Sequence, residues 1–145
     1  MNSRAMALYH EARRRWNVPA SRALRNAKRR ADILDRWEAA ILAGKVQLRV
    51  VVDELATFDD VAGDTYRVEL HADTVPGGER TIRAEEKRER ARVDSEGIWG
   101  IVGEYQCPTC GSWVAADSCW GFIGNDWAGS GYDEDIMAAT LDAVA

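Results

Sequence analysis

The run CPTCG at residues 107–111 sets two thiols three positions apart, with a proline between them and a glycine after them. Two thiolates at this spacing form the knuckle that grips zinc in ribbon-type sites. The turn aims backbone N–H groups at the sulfurs, and the glycine supplies the left-handed step. Cys119 is the third cysteine, so Cys107, Cys110 and Cys119 are the candidate metal ligands and zinc the candidate cofactor. A fourth ligand would have to be His71, His10, an aspartate or water. The alternative is a β-hairpin turn whose cysteines are simply small apolar residues. Both readings stay open on the sequence. A nucleobase deaminase would pair H-x-E with a downstream P-C-x-x-C. Here His71-Ala72-Asp73 offers aspartate for the glutamate, and Pro108 lies between the cysteines, so the pattern departs twice. The chain has no GxSxG, P-loop, GxGxxG or HExxH, and neither histidine has a catalytic neighbour in sequence. The expectation is a non-enzymatic protein.

The second chemical feature is charge. Residues 1–45 carry eleven Lys or Arg against four Asp or Glu, a net of +7. Residues 46–145 carry eight against twenty, a net of −12, and no Lys or Arg occurs from Ile101 onward. Such a split suggests a basic arm and an acidic body that face different partners or each other. The candidate partner-binding residues are Arg13, Arg14, Arg15, Arg22, Arg25, Lys28, Arg29 and Arg30 on the basic side. On the acidic side they are Asp126, Asp133, Glu134 and Asp135. The basic set could contact nucleic acid, although an overall pI near 5.1 is far from that of a typical nucleic-acid-binding domain.

These residues need elements to hold them. Ala5, Leu8, Tyr9, Ala12 and Trp16 recur at helical spacing, and Asn17 and Pro19 interrupt the pattern. A second helix is predicted over about 20–43, with a stripe of Leu24, Ala27, Ala31, Leu34, Trp37 and Ile41, closed by Gly44. Period-two alternation predicts a strand from Val46 to Val52 and another in TYRVELHA, separated by FDDVAGDT as an acidic loop. A charged helix follows over about 81–93. IWGIVGEYQ, SWVAADS and CWGFIG read as three further strands, and a last helix starts at about Asp133, with acidic residues in its first turn. The fold class is α+β, in one domain over 1–145: a basic helical hairpin (1–44), a small, mostly antiparallel sheet region (45–124), and an acidic loop and helix (125–145). At 46% apolar and 30% charged, the composition is globular and not disordered. No apolar run approaches a membrane span, and the N-terminus lacks a secretory h-region, so a cytoplasmic location is expected.

WGIVG at 99–103 and WGFIG at 120–124 nearly repeat. The expectation is two neighbouring strands with both tryptophans on one face, and Trp99, Trp113, Trp120 and Trp127 in one aromatic cluster. An exposed part of that cluster would favour a homodimer.

The ordered segments SRALRNAKRR, LRVVVDE, WGIVGEYQCPTCGSWVAADSCWGFIGNDW and SGYDEDIMAATLDA resemble a family of small proteins carried by bacteriophages, prophages and plasmids. The resemblance spans most of the chain and is most specific over ADSCWGFIGNDWAGSGYDEDIMAATLDA. It implies no catalytic residues. It implies a setting in which small accessory proteins bind a host protein or ribonucleoprotein complex, including CRISPR and restriction machinery. The leading expectation is therefore a counter-defence type of binding protein, and the alternative is a zinc-knuckle nucleic-acid-binding module.

Overall fold

Six helices and three strands follow one another along the chain in a computed structural model that describes residues 2–16 and 19–144, with the side chains of Arg15 and Trp16 outside the description. In order they are α1 (Ser3–Trp16), α2 (Ala20–Leu42), β1 (Val46–Val52), α3 (Phe58–Ala62), α4 (Val68–His71), α5 (Gly78–Glu96), β2 (Ile98–Gln106), β3 (Trp113–Ile123) and α6 (Tyr132–Val144). The strands form one antiparallel sheet in the order β1-β2-β3, so the fold is α+β. None of the described helices is long and apolar enough to cross a membrane.

The layers stack as α1 on α2, α2 on α6, and α6 on the sheet. Alanines make the first two contacts close. Ala5 on α1 and Ala23, Ala27 and Ala31 on α2 are buried, and small side chains let helix axes approach. Arg4 ties the pair at the surface, reaching Asp35 at 2.7 Å and also Glu38. The end of α2 is a Schellman turn. Lys45 N–H donates to the Ala40 carbonyl and Gly44 N–H to that of Ile41, both at 2.9 Å, which turns the chain directly into β1. Trp37, Val46 and Leu141 then meet in a core that joins α2, β1 and α6, with Leu48, Tyr105 and Met137 packed around it.

The register assigns the sheet faces. Val46 pairs with Tyr105, Leu48 with Gly103 and Val50 with Ile101, and this face meets α6. Gln47 pairs with Glu104, Arg49 with Val102 and Val51 with Gly100 on the other face.

Three sequence expectations are corrected here. TYRVELHA is not a strand: it runs through turns into α4, with Tyr66 stacked on Phe58 at 5.7 Å between ring centroids. Arg67 pairs locally with Asp64 and Glu69, and the Asp64 carbonyl lies 2.9 Å from His71 Nε2, a closure over seven residues that an extended chain could not make. FDDVAGDT is not all loop. The Asp60 carboxylate accepts hydrogen bonds from Thr57 N–H at 2.7 Å and Thr57 Oγ1 at 3.0 Å, which starts α3. SWVAADS and CWGFIG are one strand, β3, bent by irregularities opposite Trp99/Gly100 and Gly103/Glu104.

Candidate functional site: the open sheet face and the cysteine turn

The repeat WGIVG/WGFIG places its tryptophans on opposite faces of the sheet. Trp99 pairs with Phe122, whereas Trp120 pairs with Gly100, one position further along β2. Gly121, in the left-handed region at φ +93°, takes up the extra residue. The expectation of one face and one aromatic cluster is thus corrected. Trp99 donates from Nε1 to the Glu96 carbonyl at 2.7 Å, and Trp120 lies across the opposite face with its ring over Gly100. A Cβ at Gly100 would sit 2.1 Å from Trp120 Cε3, so only glycine leaves room for the ring.

The face opposite α6 thereby carries both exposed tryptophans of β3. Trp113 is 41% exposed and Trp120 47%, and Ala115 and Ser118 between them are exposed as well. Across the sheet, Arg49 donates from Nε to Glu104 Oε1 at 2.9 Å and Gln47 from Nε2 to the same oxygen at 3.1 Å. Glu104 is buried beneath these donors. The surface is a half-apolar platform: two indoles at its β3 margin and a hydrogen-bonded Arg–Glu–Gln group at its β1 margin. β3 is also an edge strand of eleven residues with no lysine, arginine or proline to blunt it.

The charged candidates fall into two sets. Arg30 grips Glu134 Oε1, from Nε at 2.8 Å and from Nη2 at 2.5 Å, and Arg29 lies 3.6 Å from Asp135. The basic helix α2 thus docks on the acidic start of α6. Asp133 accepts from Gly129 N–H at 2.9 Å and Gly131 N–H at 3.1 Å, which folds the loop before α6. Asp126 pairs with Arg92 of α5 at 2.9 Å. By contrast Arg22, Arg25 and Lys28 are exposed and make no ion pair among the described residues. Arg13 and Arg14 are exposed on α1, where Arg14 donates to the His10 carbonyl at 3.3 Å; the side chain of Arg15 lies outside the described residues. A cleft of about 470 Å³ between α2 and the α6 start is lined by Asn26, Arg29, Arg30, Tyr132, Glu134 and Asp135.

Carboxyl chemistry in this cleft is uneven. Burial above all, and then the hydrogen bond with Asp133, push Glu134 up against the pull of Arg30. Burial also pushes Asp133 up, but hydrogen bonds from Glu134 and from the N–H groups of Gly129, Glu134 and Gly131 together hold it below its ordinary range.

The three cysteines do not converge. Cys107 and Cys110 share the β2–β3 turn, while Cys119 pairs with Ile101, five positions back along β2 from Gln106. At ~3.3 Å per residue that is roughly 17 Å, whereas two sulfurs on one zinc are at most about 4.6 Å apart. Cys119 therefore cannot share a metal with the pair in one chain. The turn itself is tightly held: Cys107 N–H donates to the Ser112 carbonyl at 2.8 Å, and Gly111 N–H to the Cys107 carbonyl at 2.9 Å. The Cys110 thiol is lowered to about 7, first by the hydroxyl and N–H of Ser112 and then by the Cys107 thiol. In reduced, metal-free protein, alkylation of Cys110 should therefore show a rate midpoint near pH 7, against about 8.5 for an ordinary thiol. Iodoacetamide labelling followed by mass spectrometry measures it, and Ser112→Ala should move the midpoint up. A midpoint unchanged in that variant would remove the Ser112 hydroxyl as a cause.

Comparison with family models, with curated proteins and with solved structures gives no match to the chain. The platform and the cysteine turn must be read from their own geometry. Sequence reasoning missed the platform, because the alternation within β3 is broken twice and the face of each tryptophan depends on where the breaks fall.

Proposed function

We propose that this is a non-enzymatic accessory protein of a phage or related mobile element, which binds a host protein or ribonucleoprotein complex in the host cytoplasm and blocks a defence activity of CRISPR or restriction type. The observation that carries the binding role is the pair Trp113 and Trp120, both exposed on the sheet face that α6 does not cover. Tryptophan and arginine dominate binding energy where they are desolvated by a partner, and a single platform here offers two indoles and Arg49. Arg22, Arg25 and Lys28 add a basic helix surface that steers an acidic partner. The resemblance to proteins of mobile elements supplies the biological setting.

The test is a tagged pull-down from host lysate, with and without nuclease. A stoichiometric host protein retained after nuclease, and lost at least tenfold in the Trp113→Ala/Trp120→Ala variant, is the expected result. Material that disappears with nuclease would favour nucleic acid bound along Arg22, Arg25 and Lys28. Full retention by the double alanine variant would exclude the platform as the binding face.

A further inference from the structure

The turn between β2 and β3 holds two cysteines at zinc-knuckle spacing, and among the described residues no third ligand gathers beside them. Pro108, Thr109, Cys110, Gly111 and Ser112 are all exposed at the tip, and Cys107 is half-buried behind them. Backbone bonds to Ser112 and Gly111 fix the turn, and Gln106 Nε2 adds a third tie to the Gly111 carbonyl at 3.1 Å. Among the described residues, no group of three or more histidine, cysteine or carboxylate side chains gathers there or anywhere else. Zinc bound structurally is four-coordinate and closed, so a pre-shaped pair of thiolates at an exposed tip lacks two ligands.

We propose that two copies of this chain meet tip to tip and bind one zinc ion through Cys107 and Cys110 of each. The inference is independent of the partner-binding role assigned to the sheet face. A two-fold axis through the metal repeats the same pair, which makes the contact isologous and the tetrahedron complete. Each thiol releases a proton and no electrons move. The resulting tetrathiolate carries a net charge of −2, and its surroundings supply the counter-charge. Lys45 and Cys107 line the same cleft of about 620 Å³ beside the turn, so two copies bring two ammonium groups to the metal. Proline 108 restricts the turn before binding, which reduces the ordering required of each copy. Cys119, on β3 opposite Ile101, takes no part.

The experiment uses the full chain, expressed with zinc and purified under reductant. Metal content is read by mass spectrometry and molar mass by light scattering, before and after chelation. The expected result is about 0.5 zinc per chain in a dimer that a chelator converts to monomer. Cys107→Ser and Cys110→Ser should each lose both zinc and dimer, while Cys119→Ser keeps both. One zinc per chain in a monomer would overturn the proposal, as would less than about a tenth of a zinc per chain. A dimer that survives chelation and both serine changes would also overturn it, since the contact would lie elsewhere. If the serine variants fail to fold, cobalt titration of the unaltered chain decides. Saturation at one cobalt per two chains with a tetrathiolate spectrum supports the site, and saturation at one per chain refutes it.

Discussion

Gly103→Val is expected to lift α6 off the sheet and destabilise the protein strongly. Gly103 lies in the middle of β2, directly beneath α6. A Cβ there would stand 2.1 Å from Thr140 Oγ1, 2.7 Å from Ile136 Cγ2 and 3.3 Å from the Ile136 carbonyl. None of these can step aside cheaply. Thr140 is fully buried, its hydroxyl donates to the Ile136 carbonyl at 2.7 Å, and Ile136 is itself buried. The helix as a whole must therefore move, and with it Leu141 from the core it forms with Trp37 and Val46. Overpacking of this kind typically costs about 1–3 kcal/mol and occasionally more. With helix displacement added, roughly 3 kcal/mol is expected for alanine and more for valine, out of a total stability of about 5–15 kcal/mol. Thermal denaturation should show a fall of about 10 °C or more for alanine. Thr140→Ala in the Gly103→Ala background removes the nearest clash, so the double variant should be less destabilised than the sum of the singles. Additive effects would mean that the close approach is not what glycine provides.

The same residue shows what was legible in the sequence. Helices α1, α2 and α6 and strand β1 follow from periodicity and from stop signals such as Gly44, whereas α5 is a charge-dense run that buries only Ile82 and β2 is buried at successive residues on both faces. The near-repeat WGIVG/WGFIG was legible as two paired strands but not in its reasons. Gly100 admits the Trp120 ring, Gly103 admits α6, and Gly121 takes up an irregularity in β3. Identical letters answer different tertiary demands, and those demands involve residues far along the chain. TYRVELHA misled for the opposite reason. Its alternation is real, but Tyr66 stacks on Phe58, α4 packs against α5, and local contacts of Arg67 and His71 close the turn. A period of two over eight residues does not separate a strand from a short helical turn unless a neighbouring strand is available.

The candidate site was legible only in part. CPTCG was readable as a turn, but spacing alone could not show that β3 carries Cys119 away from it. The charge split was readable too, yet not its destination. A count of charges gives a basic arm and an acidic body, and only the packing of α2 on α6 shows Arg29 and Arg30 meeting Asp135 and Glu134. Arg22, Arg25 and Lys28 on α2 stay exposed, as do Arg13 and Arg14 on α1.

Arg30→Ala is the second change expected to have a large effect, and its pH dependence separates the ion pair from mere packing. Glu134 is 5% exposed, and its Oε2 is buried without a hydrogen-bond partner among the described residues, so Arg30 on Oε1 is the group that makes its charge tolerable. Removing one partner of a buried pair costs about 3–5 kcal/mol. Roughly 3 kcal/mol is expected here, because the Arg30 side chain keeps 28% of its exposure. Glu134 already titrates above its ordinary range in the folded protein, chiefly through burial, so the folded state binds its proton more tightly than the unfolded chain does. Stability then falls as pH rises from the ordinary carboxylate range through the raised value. Loss of Arg30 removes the one strong downward pull, raises Glu134 further and steepens that fall. Asp133 works in the opposite direction: being lowered, its contribution is present at neutral pH and lost only as pH drops through its folded value. Urea denaturation of both proteins between about pH 4 and pH 7 should therefore show the gap between them narrowing toward the acid end, where protonated Glu134 needs no cation. Arg30→Met with Glu134→Leu should recover most of the loss and flatten the dependence, since two apolar side chains replace a pair whose desolvation opposes its attraction. A gap that stays constant with pH would assign the effect of Arg30 to its packing against the α2–α6 cleft instead of to its charge.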